Sequence, residues 1–398
     1  MRRRRFRTGR WASAPLVAAR RQAGFTLIEM MVALTAGLIA IGAIYSITAA
    51  SSRHFHEQQR ISQTQMALRM AMGRLTRDIA RAGFGGSPST QAEMNAGMTC
   101  GRPPAGGHFA AVTFFDDRDT AVLPNAAVNG VQADRIRLVG NYVTPELYRA
   151  MPGGGNSIVI QTQWQAFRRS FGVPGVNYDP DAFEEVFREG RTLHIQTIGG
   201  QHFYPRITGA TGATQTVTFT PGFLCGGEQL NMAMVAPLSR LEYRVVNGAD
   251  PDTNLGTLFQ NAAVDNRRGL TNAVLIRQEL DENNNPIRNT EQVVLEYVAN
   301  VDYAFIVDTQ IVPGSQPTFA LERGGATPNV TNNPHRIRSV LVDLAARTAD
   351  HDPSFPFVAR APGAPLMRYQ VDPALRGAAR VRSMRSEVQL RNIRVIRP

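Results

Sequence analysis

Apolar residues are spread very unevenly along the chain. Residues 25–52 are almost wholly apolar: Glu29 is their one ionisable side chain apart from Tyr45, and no other charge falls between Arg21 and Arg53. About 20 such residues suffice to cross the hydrocarbon core of a bilayer. Past Arg53 the pattern becomes amphipathic. Ile61, Leu68, Met72, Leu75 and Ile79 recur at spacings of 7, 4, 3 and 4, which places them on one helical face. No proline lies between Pro15 and Pro88, and the run Gly83-Phe84-Gly85-Gly86 supplies a stop, because glycine readily takes the left-handed conformation of a helix C-cap. The pattern predicts a single helix from Phe25 to Ala82, about 87 Å long at 1.5 Å per residue. Its first half suits lipid and its second half a protein surface. Arg74 lies four residues before Asp78 and Arg81 three after it, a spacing that predicts charge pairs along the outer face.

From residue 87 the texture changes to short β-rich runs broken by Gly, Pro and Asn. Predicted strands are Val112–Phe115, Arg135–Tyr142, Ser157–Trp164, Thr192–Ile198, Thr216–Thr220, Arg240–Val246, Ala273–Leu280, Asp302–Val307, Arg338–Leu344 and Glu387–Val395. Gly153–Gly155 and Thr208–Gly212 read as loops, and Asp281-Glu282-Asn283-Asn284-Asn285-Pro286 as a turn between two strands. No fixed-period repeat is present, and no break in composition divides the β-rich part in two. The predicted class is α+β: a long N-terminal helix packed on a large β-rich globular head.

Charge sharpens this division. The 398 residues carry a formal net charge of +11, yet eight arginines precede Phe25 with no acid among them, leaving +3 for the rest. A basic leader on a nearly neutral body reads as targeting and argues against a nucleic-acid-binding face. The two cysteines, Cys100 and Cys225, are compatible with one disulfide or two free thiols, and no Cys-x-x-Cys arms exist for a zinc ribbon.

The sharpest signal is Arg20-Arg21-Gln22-Ala23-Gly24-Phe25-Thr26-Leu27-Ile28-Glu29-Met30-Met31-Val32-Ala33-Leu34. The basic flank holds the leader in the cytoplasm. A carboxylate inside an apolar span costs about 2.5–3.5 kcal/mol on insertion scales, so Glu29 needs a positive partner in water-poor surroundings. An ordinary secretory signal would account for the basic start, with Ala49-Ala50-Ser51 as a cleavage region. However, the span Phe25–Ile47 exceeds an h-region of about 7–15 residues and contains Glu29. A plain single-span anchor gives Glu29 no role, and the early arginines make only a weak twin-arginine pattern.

This stretch resembles the class III signal of type IV pilins and type II secretion pseudopilins. Three others resemble the PilW family of minor type IV pilins. Arg74-Leu75-Thr76-Arg77-Asp78-Ile79-Ala80-Arg81-Ala82-Gly83-Phe84-Gly85-Gly86 is similar to that family's helix end, with Ala80 in place of its usual arginine. His335-Arg336-Ile337-Arg338-Ser339-Val340-Leu341-Val342-Asp343-Leu344-Ala345-Ala346-Arg347-Thr348 is similar to its late segment, and Val388-Gln389-Leu390-Arg391-Asn392 to its terminal motif.

The resemblance implies a type IV pilin-like fold divided into a leader (1–24), a transmembrane and assembly half-helix (25–52), an amphipathic half-helix (53–86) and a periplasmic or extracellular head (87–398). Prepilin peptidase would cut after Gly24 and methylate the new amine of Phe25. Removing 24 of the 398 residues leaves 374. Glu29, fifth in that mature chain, would pair with the terminal ammonium of a neighbouring subunit, and such an ion pair offsets the buried charge. The implied role is a minor pilin that primes or caps a type IV pilus; the alternatives are a minor pseudopilin of a type II secretion system or a tip adhesin. Implied partners are the peptidase, other minor pilins and the major pilin, the inner-membrane assembly platform, the lipid bilayer and a tip adhesin, with no nucleic acid. The implied location is the inner membrane with a periplasmic head, then the pilus. An oxidising periplasm would favour a Cys100–Cys225 disulfide, contributing roughly 5 kcal/mol on a chain-entropy basis.

The remaining signals carry no chemistry. Asp281, Asn283 and Asn285 alternate as in a calcium loop, but Pro286 replaces the required glycine and Gln292 the bidentate glutamate, so a hairpin turn is expected. Asp116-Asp117-Arg118-Asp119 reads as a solvated turn. Trp164, Phe167 and Phe171 beside Arg168 and Arg169 read as packing rather than a partner surface. The seven histidines show no metalloprotease spacing, and neither a Gly-x-Ser-x-Gly elbow nor a phosphate loop occurs. No catalytic residues, cofactor or metal are expected; the predicted activity is self-association.

Overall fold

The computed structural model describes residues 24–86, 110–221, 230–247, 264–265 and 270–393, apart from 282, 288, 311–315, 326–327 and 362. The chain forms two units, Met1–Gln59 and Arg60–Pro398. Cys100 and Cys225 lie outside the described residues.

Helix α1 runs over Leu27–Arg81, 55 residues or about 82 Å. Helix-favouring Ala, Leu, Met, Gln and Arg fill its second half. There Leu68, Ala71, Met72, Leu75 and Ile79 form the buried face, while Ile61 is only half-buried. Gly83 and Gly85 end the helix with φ of 76° and 88°, and Gly83 N–H donates to Val139 O at 2.8 Å.

The head contains β1 (Val112–Phe115), β2 (Arg135–Gly140), β3 (Tyr148–Pro152), β4 (Ser157–Ile160), β5 (Thr192–Gln196), β6 (His202–Phe203), β7 (Ile207–Thr211) and β8 (Thr216–Phe219). These are followed by β9 (Ala233–Asn247), β10 (Val264–Asp265), β11 (Leu270–Thr271), β12 (Ala273–Leu280) and β13 (Gln292–Leu295). The last are β14 (Val298–Asp308), β15 (Phe319–Arg323), β16 (Ile337–Arg347), β17 (Arg368–Tyr369) and β18 (Ala379–Gln389). An 11-stranded sheet follows the path β1-β2-β9-β3-β4-β8-β7, with β12–β13 and β5–β6 branching from β9, and a five-stranded sheet has the order β15-β14-β16-β18-β17.

Strand β9 is the spine of the larger sheet. Its first residues pair with β3 and β5, and its later ones, from Ser239 onward, with β2 and β12. Two hydrophobic cores divide along it. The first buries α1 against Ile136, Leu138, Leu241, Tyr243 and Leu275 of one sheet and Phe305, Val340, Val342 and Leu344 of the other. The second is aromatic: Tyr148, Phe167, Phe171, Phe183, Phe187, Phe203 and Phe219 pack between β3–β8 and the short helices Gln165–Phe171 and Pro180–Val186. Neighbouring rings sit 4.9–5.4 Å apart for Phe183–Phe187, Phe167–Phe171, Phe171–Phe183 and Tyr148–Phe171, within the range that favours offset and edge-on contacts.

Several expectations change. The run predicted as a strand to Trp164 stops at Ile160, and Trp164 N-caps a helix that sends Phe167 and Phe171, four apart, into the aromatic core. Thr208–Gly212, read as a loop, supplies β7 and a 3-10 turn. The last predicted strand lies earlier, at Ala379–Gln389. Asp116–Asp119 forms the expected turn, with Asp117 and Arg118 exposed, but its last residue turns inward. Asp119 is buried, held by Arg135 at 2.5 Å, and accepts from Val245 N–H at 3.0 Å. The Asp281 turn joins a β12–β13 hairpin, its Oδ1 accepting from the N–H groups of Asn283 and Asn285 at 2.8 Å each.

Mid-helix Gly73 is exposed, and a Cβ there would meet nothing within 4 Å. Gly73→Ala should therefore stabilise the protein by about 0.5–1 kcal/mol, measured by urea unfolding of the full chain in detergent.

Candidate functional site

In the N-terminal unit, α1 begins one residue after Thr26, whose Oγ1 accepts from Glu29 N–H at 3.2 Å. Thr26-Leu27-Ile28-Glu29 thus makes the cap half of a capping box, and Glu29 stands in the first turn, where the helix dipole favours a negative charge. The Glu29 side chain is exposed and has no ion-pair partner among the described residues. Phe25 is 80% exposed, and Gly24 has open space around it. Farther along, the hydroxyls of Thr35, Ser46 and Thr48 turn back onto carbonyls of the preceding turn at 2.8–3.0 Å. That is how a polar group is satisfied where solvent cannot serve. Among the described residues, α1 is the one helix long and apolar enough to cross a membrane.

In the second unit the end of α1 is clamped through Asp78. This carboxylate faces inward rather than joining Arg74 and Arg81 on an outer surface. Its Oδ2 accepts from Arg277 Nε and from the Tyr243 hydroxyl, both at 2.7 Å, and the Tyr142 hydroxyl donates to Asp78 O at 3.0 Å. Arg74 instead donates to Gln292, and Arg81 to Asn141 O at 2.7 Å and Thr144 O at 3.3 Å. Burial, then the adjoining Asp78 charge, pushes the Tyr243 hydroxyl well above the ordinary tyrosine range, so it stays a donor. Sequence reasoning missed Arg277 and Tyr243, because the signal available, an i±4 spacing, points only along the helix.

The terminal motif reaches the same end, and the start of the late motif is bonded to it. Leu390 N–H donates to Arg338 O at 2.9 Å, joining the strand that opens near His335 to the terminal motif. Asn392 Nδ2 then donates to Ala80 O at 3.1 Å. Arg347, which closes the late motif, is buried. Its guanidinium lies over Tyr297 and Tyr369, 5.2 and 5.8 Å from the ring centres, and donates to Thr348 O and Ala349 O at 3.2 Å each. Stretches more than 300 residues apart in sequence thus meet at one helix terminus.

Beside that terminus lies a cavity of about 410 Å³, lined by Gly83–Gly86, His194, His202, Tyr204, Arg391 and Asn392, among others. His194 Nε2 lies 2.9 Å from His202 Nδ1, its ring stacks on Tyr204, and the Tyr204 hydroxyl donates to Gly86 O at 2.7 Å. A Cβ on Gly86 would come within 2.1 Å of the His194 ring, so only glycine lets the turn lie there. Burial lowers His194 to about 3, and the His202 charge acts in the same direction.

One acidic group draws carboxylate oxygens within 4.8 Å of one another: Asp116, Asp117 and Asp134. The chain's own donors serve it. Asp134 accepts from the N–H groups of Asp117 and Tyr303, and Asp117 from Gln132 Nε2. Burial raises Asp134 to about 7. Trp164 is 42% exposed beneath the Arg149 guanidinium, while Phe167 and Phe171 are core.

Residues 19–45 match the model of the prokaryotic N-terminal methylation motif. This motif supports a type IV pilin-like protein. The matched segment contains Gly24, Phe25 and Glu29, and with the apolar part of α1 it fits an inner-membrane-anchored pilin or pseudopilin processed by prepilin peptidase. No curated protein and no solved structure matches the chain.

Removing the Asp78 carboxylate strands the Arg277 charge in a largely buried seam. Asp78→Ala should cost about 3 kcal/mol or more, with Asp78→Asn costing less because it still accepts from Tyr243, as read by urea unfolding. For His194 the folded state disfavours the proton, so its contribution is intact above pH 6.5 and lost as pH falls toward 3. Asp134 has the opposite sign, its contribution lost as pH rises from 3.8 to about 7. The difference between wild type and His194→Gln isolates the histidine: the variant's unfolding midpoint should fall less steeply between pH 7 and 4.

Proposed function

We propose that the protein is a minor pilin of the PilW kind, acting by association rather than by chemistry. Prepilin peptidase cuts after Gly24 and methylates Phe25. The mature chain waits in the inner membrane with its head in the periplasm. It then enters a type IV pilus, where with other minor pilins it primes assembly from or near the tip.

The observation that carries this reading is Glu29, a carboxylate with no counter-ion among the described residues, set five positions into the mature chain within an otherwise uncharged apolar span. A charge so placed is tolerable in a water-poor bundle only beside a cation, and the new amine of a neighbouring Phe25 is one. The bonds that join the terminal PilW-like stretch to the end of α1 at Ala80, and to the late stretch at Arg338, add support.

Mass spectrometry of the mature N-terminus should find N-methylated Phe25. Glu29→Ala should be cleaved normally yet be reduced about tenfold or more in sheared filaments; undiminished incorporation would contradict the pairing role. Deleting the protein should abolish surface pili while the major pilin is still made. A secretion defect with normal piliation would instead identify a pseudopilin, and normal pili with lost surface binding an adhesin.

A further inference from the structure

A lobe of the head combines exposed apolar side chains with cations that its own acids do not neutralise. It is built from two segments that contain no carboxylate, 120–133 and 353–371. They are bonded to each other. Asn125 Nδ2 donates to Val371 O at 2.6 Å, Asn129 Nδ2 to Gln370 O at 2.9 Å, and the Tyr369 hydroxyl to Pro124 O at 2.6 Å. Leu366, Tyr369 and Val371 root the lobe in the first core. Val128, Val358 and Met367 stay outside it, 50%, 58% and 55% exposed. A lone exposed valine is ordinary on any protein, but the charge around these three is not.

From 353 to 386 the chain carries six arginines and one acid, Asp372. Arg380 and Arg385 are paired with Asp352 and Asp343, both at 2.6 Å. Arg368 lies over the Phe355 ring, 4.4 Å from its centre, and Arg360 donates to Ala364 O at 2.6 Å and Gly130 O at 3.3 Å. Arg360, Arg368 and Arg376 meet no carboxylate among the described residues.

The root of this lobe is tethered close to the apolar span. Asp350, three residues before the second segment, pairs with Arg60 at 3.1 Å, and Arg60 comes eight residues after position 52, where the span ends. Eight residues reach about 28 Å at most, even fully extended.

We propose that the lobe rests on the surface of the bilayer, with Val358 and Met367 entering the headgroup region and Arg360, Arg368 and Arg376 facing anionic phospholipid headgroups. This rests on the reading of residues 25–52 as membrane-spanning. Apolar side chains gain from the headgroup boundary and arginines from its negative potential. That potential fades within about 8–10 Å at physiological salt, so the short tether matters. An acidic protein surface offers the same charge, but only the bilayer is kept within reach by the chain itself.

The test uses the full-length protein with a photo-crosslinking side chain at Val358, reconstituted into nanodiscs of phosphatidylcholine with or without phosphatidylglycerol. Intact-mass spectrometry should find a phospholipid adduct in the discs that contain phosphatidylglycerol. Its yield should fall about fivefold or more in phosphatidylcholine alone, and equally with Arg368→Glu plus Arg376→Glu, while the Lys pair keeps it within about twofold. No lipid adduct, a yield indifferent to headgroup charge, or an adduct to protein in place of lipid when the same variant is made in cells would each overturn the proposal. Co-elution with the disc reads the span separately. A chain that inserts without the adduct removes only this contact, whereas one that never enters the disc removes the membrane-spanning reading and this contact with it.

Discussion

Asp78 places a carboxylate in the seam between a helix and a sheet, where an unpaired charge would cost several kcal/mol. The seam compensates with a guanidinium from β12 and a phenol from β9, both at 2.7 Å on the same oxygen. Because the partners come from two strands paired in register, Tyr243 opposite Arg277, the oxygen can be satisfied at only one rotation and one height of the helix. An all-apolar stripe would tolerate slippage by a turn, as Leu68, Met72, Leu75 and Ile79 could exchange places with little loss. The polar contact forbids that slip. The glycine turn follows from it: with the helix fixed, the chain must leave between Val139 and Asn141 on one side and His194 on the other, and Gly83, Gly85 and Gly86 are the residues that fit.

The same constraint explains which parts of the fold were legible in the sequence. The helix, its stripe and its glycine stop are local and were read correctly, as were strands marked by short β-branched and apolar runs such as Val112–Phe115 and Ala273–Leu280. The orientation of Asp78 was not. Its neighbours at i−4 and i+3 are arginines, and the sequence contains no hint that a better arginine waits 199 residues away. β7 was missed because Gly209 interrupts the alternation that marks a strand, and β3 because it is a five-residue run that ends on Pro152. The two short helices of the second core were missed for a related reason, although Phe167 and Phe171 were read as packing. Phe167, Phe171, Phe183 and Phe187 keep helical spacing within pairs, but each helix is only seven residues long, too short for a period to stand out.

The candidate site divides likewise. Gly24, Phe25 and Glu29 form a contiguous motif, so recognition needed no tertiary structure, and the methylation-motif match covers them. The meeting of the Asp78, Arg338–Arg347 and Asn392 segments is a property of topology. β16 pairs with β18, and β18 delivers Asn392 to Ala80. The sequence shows that these stretches are unusual, and only the sheet order shows that they are neighbours.

Two of the three acids on α1, Asp78 and Glu29, therefore stand in opposite circumstances. Asp78 is enclosed by donors from its own chain and contributes to a unique fold. Glu29 has no cation among the described residues, and on the proposed reading a second molecule supplies one. An acid that is already paired can be buried permanently, whereas an unpaired one makes burial conditional on a partner arriving. Under the proposed function, a chain that first stays in a bilayer and later enters a helical bundle would need both kinds: a head whose register never varies, and an N-terminus whose charge becomes fully favourable only in company. The uneven distribution of satisfied and unsatisfied polar groups along α1 is the physical form of that division, and it assigns folding to the end of the helix and association to its beginning.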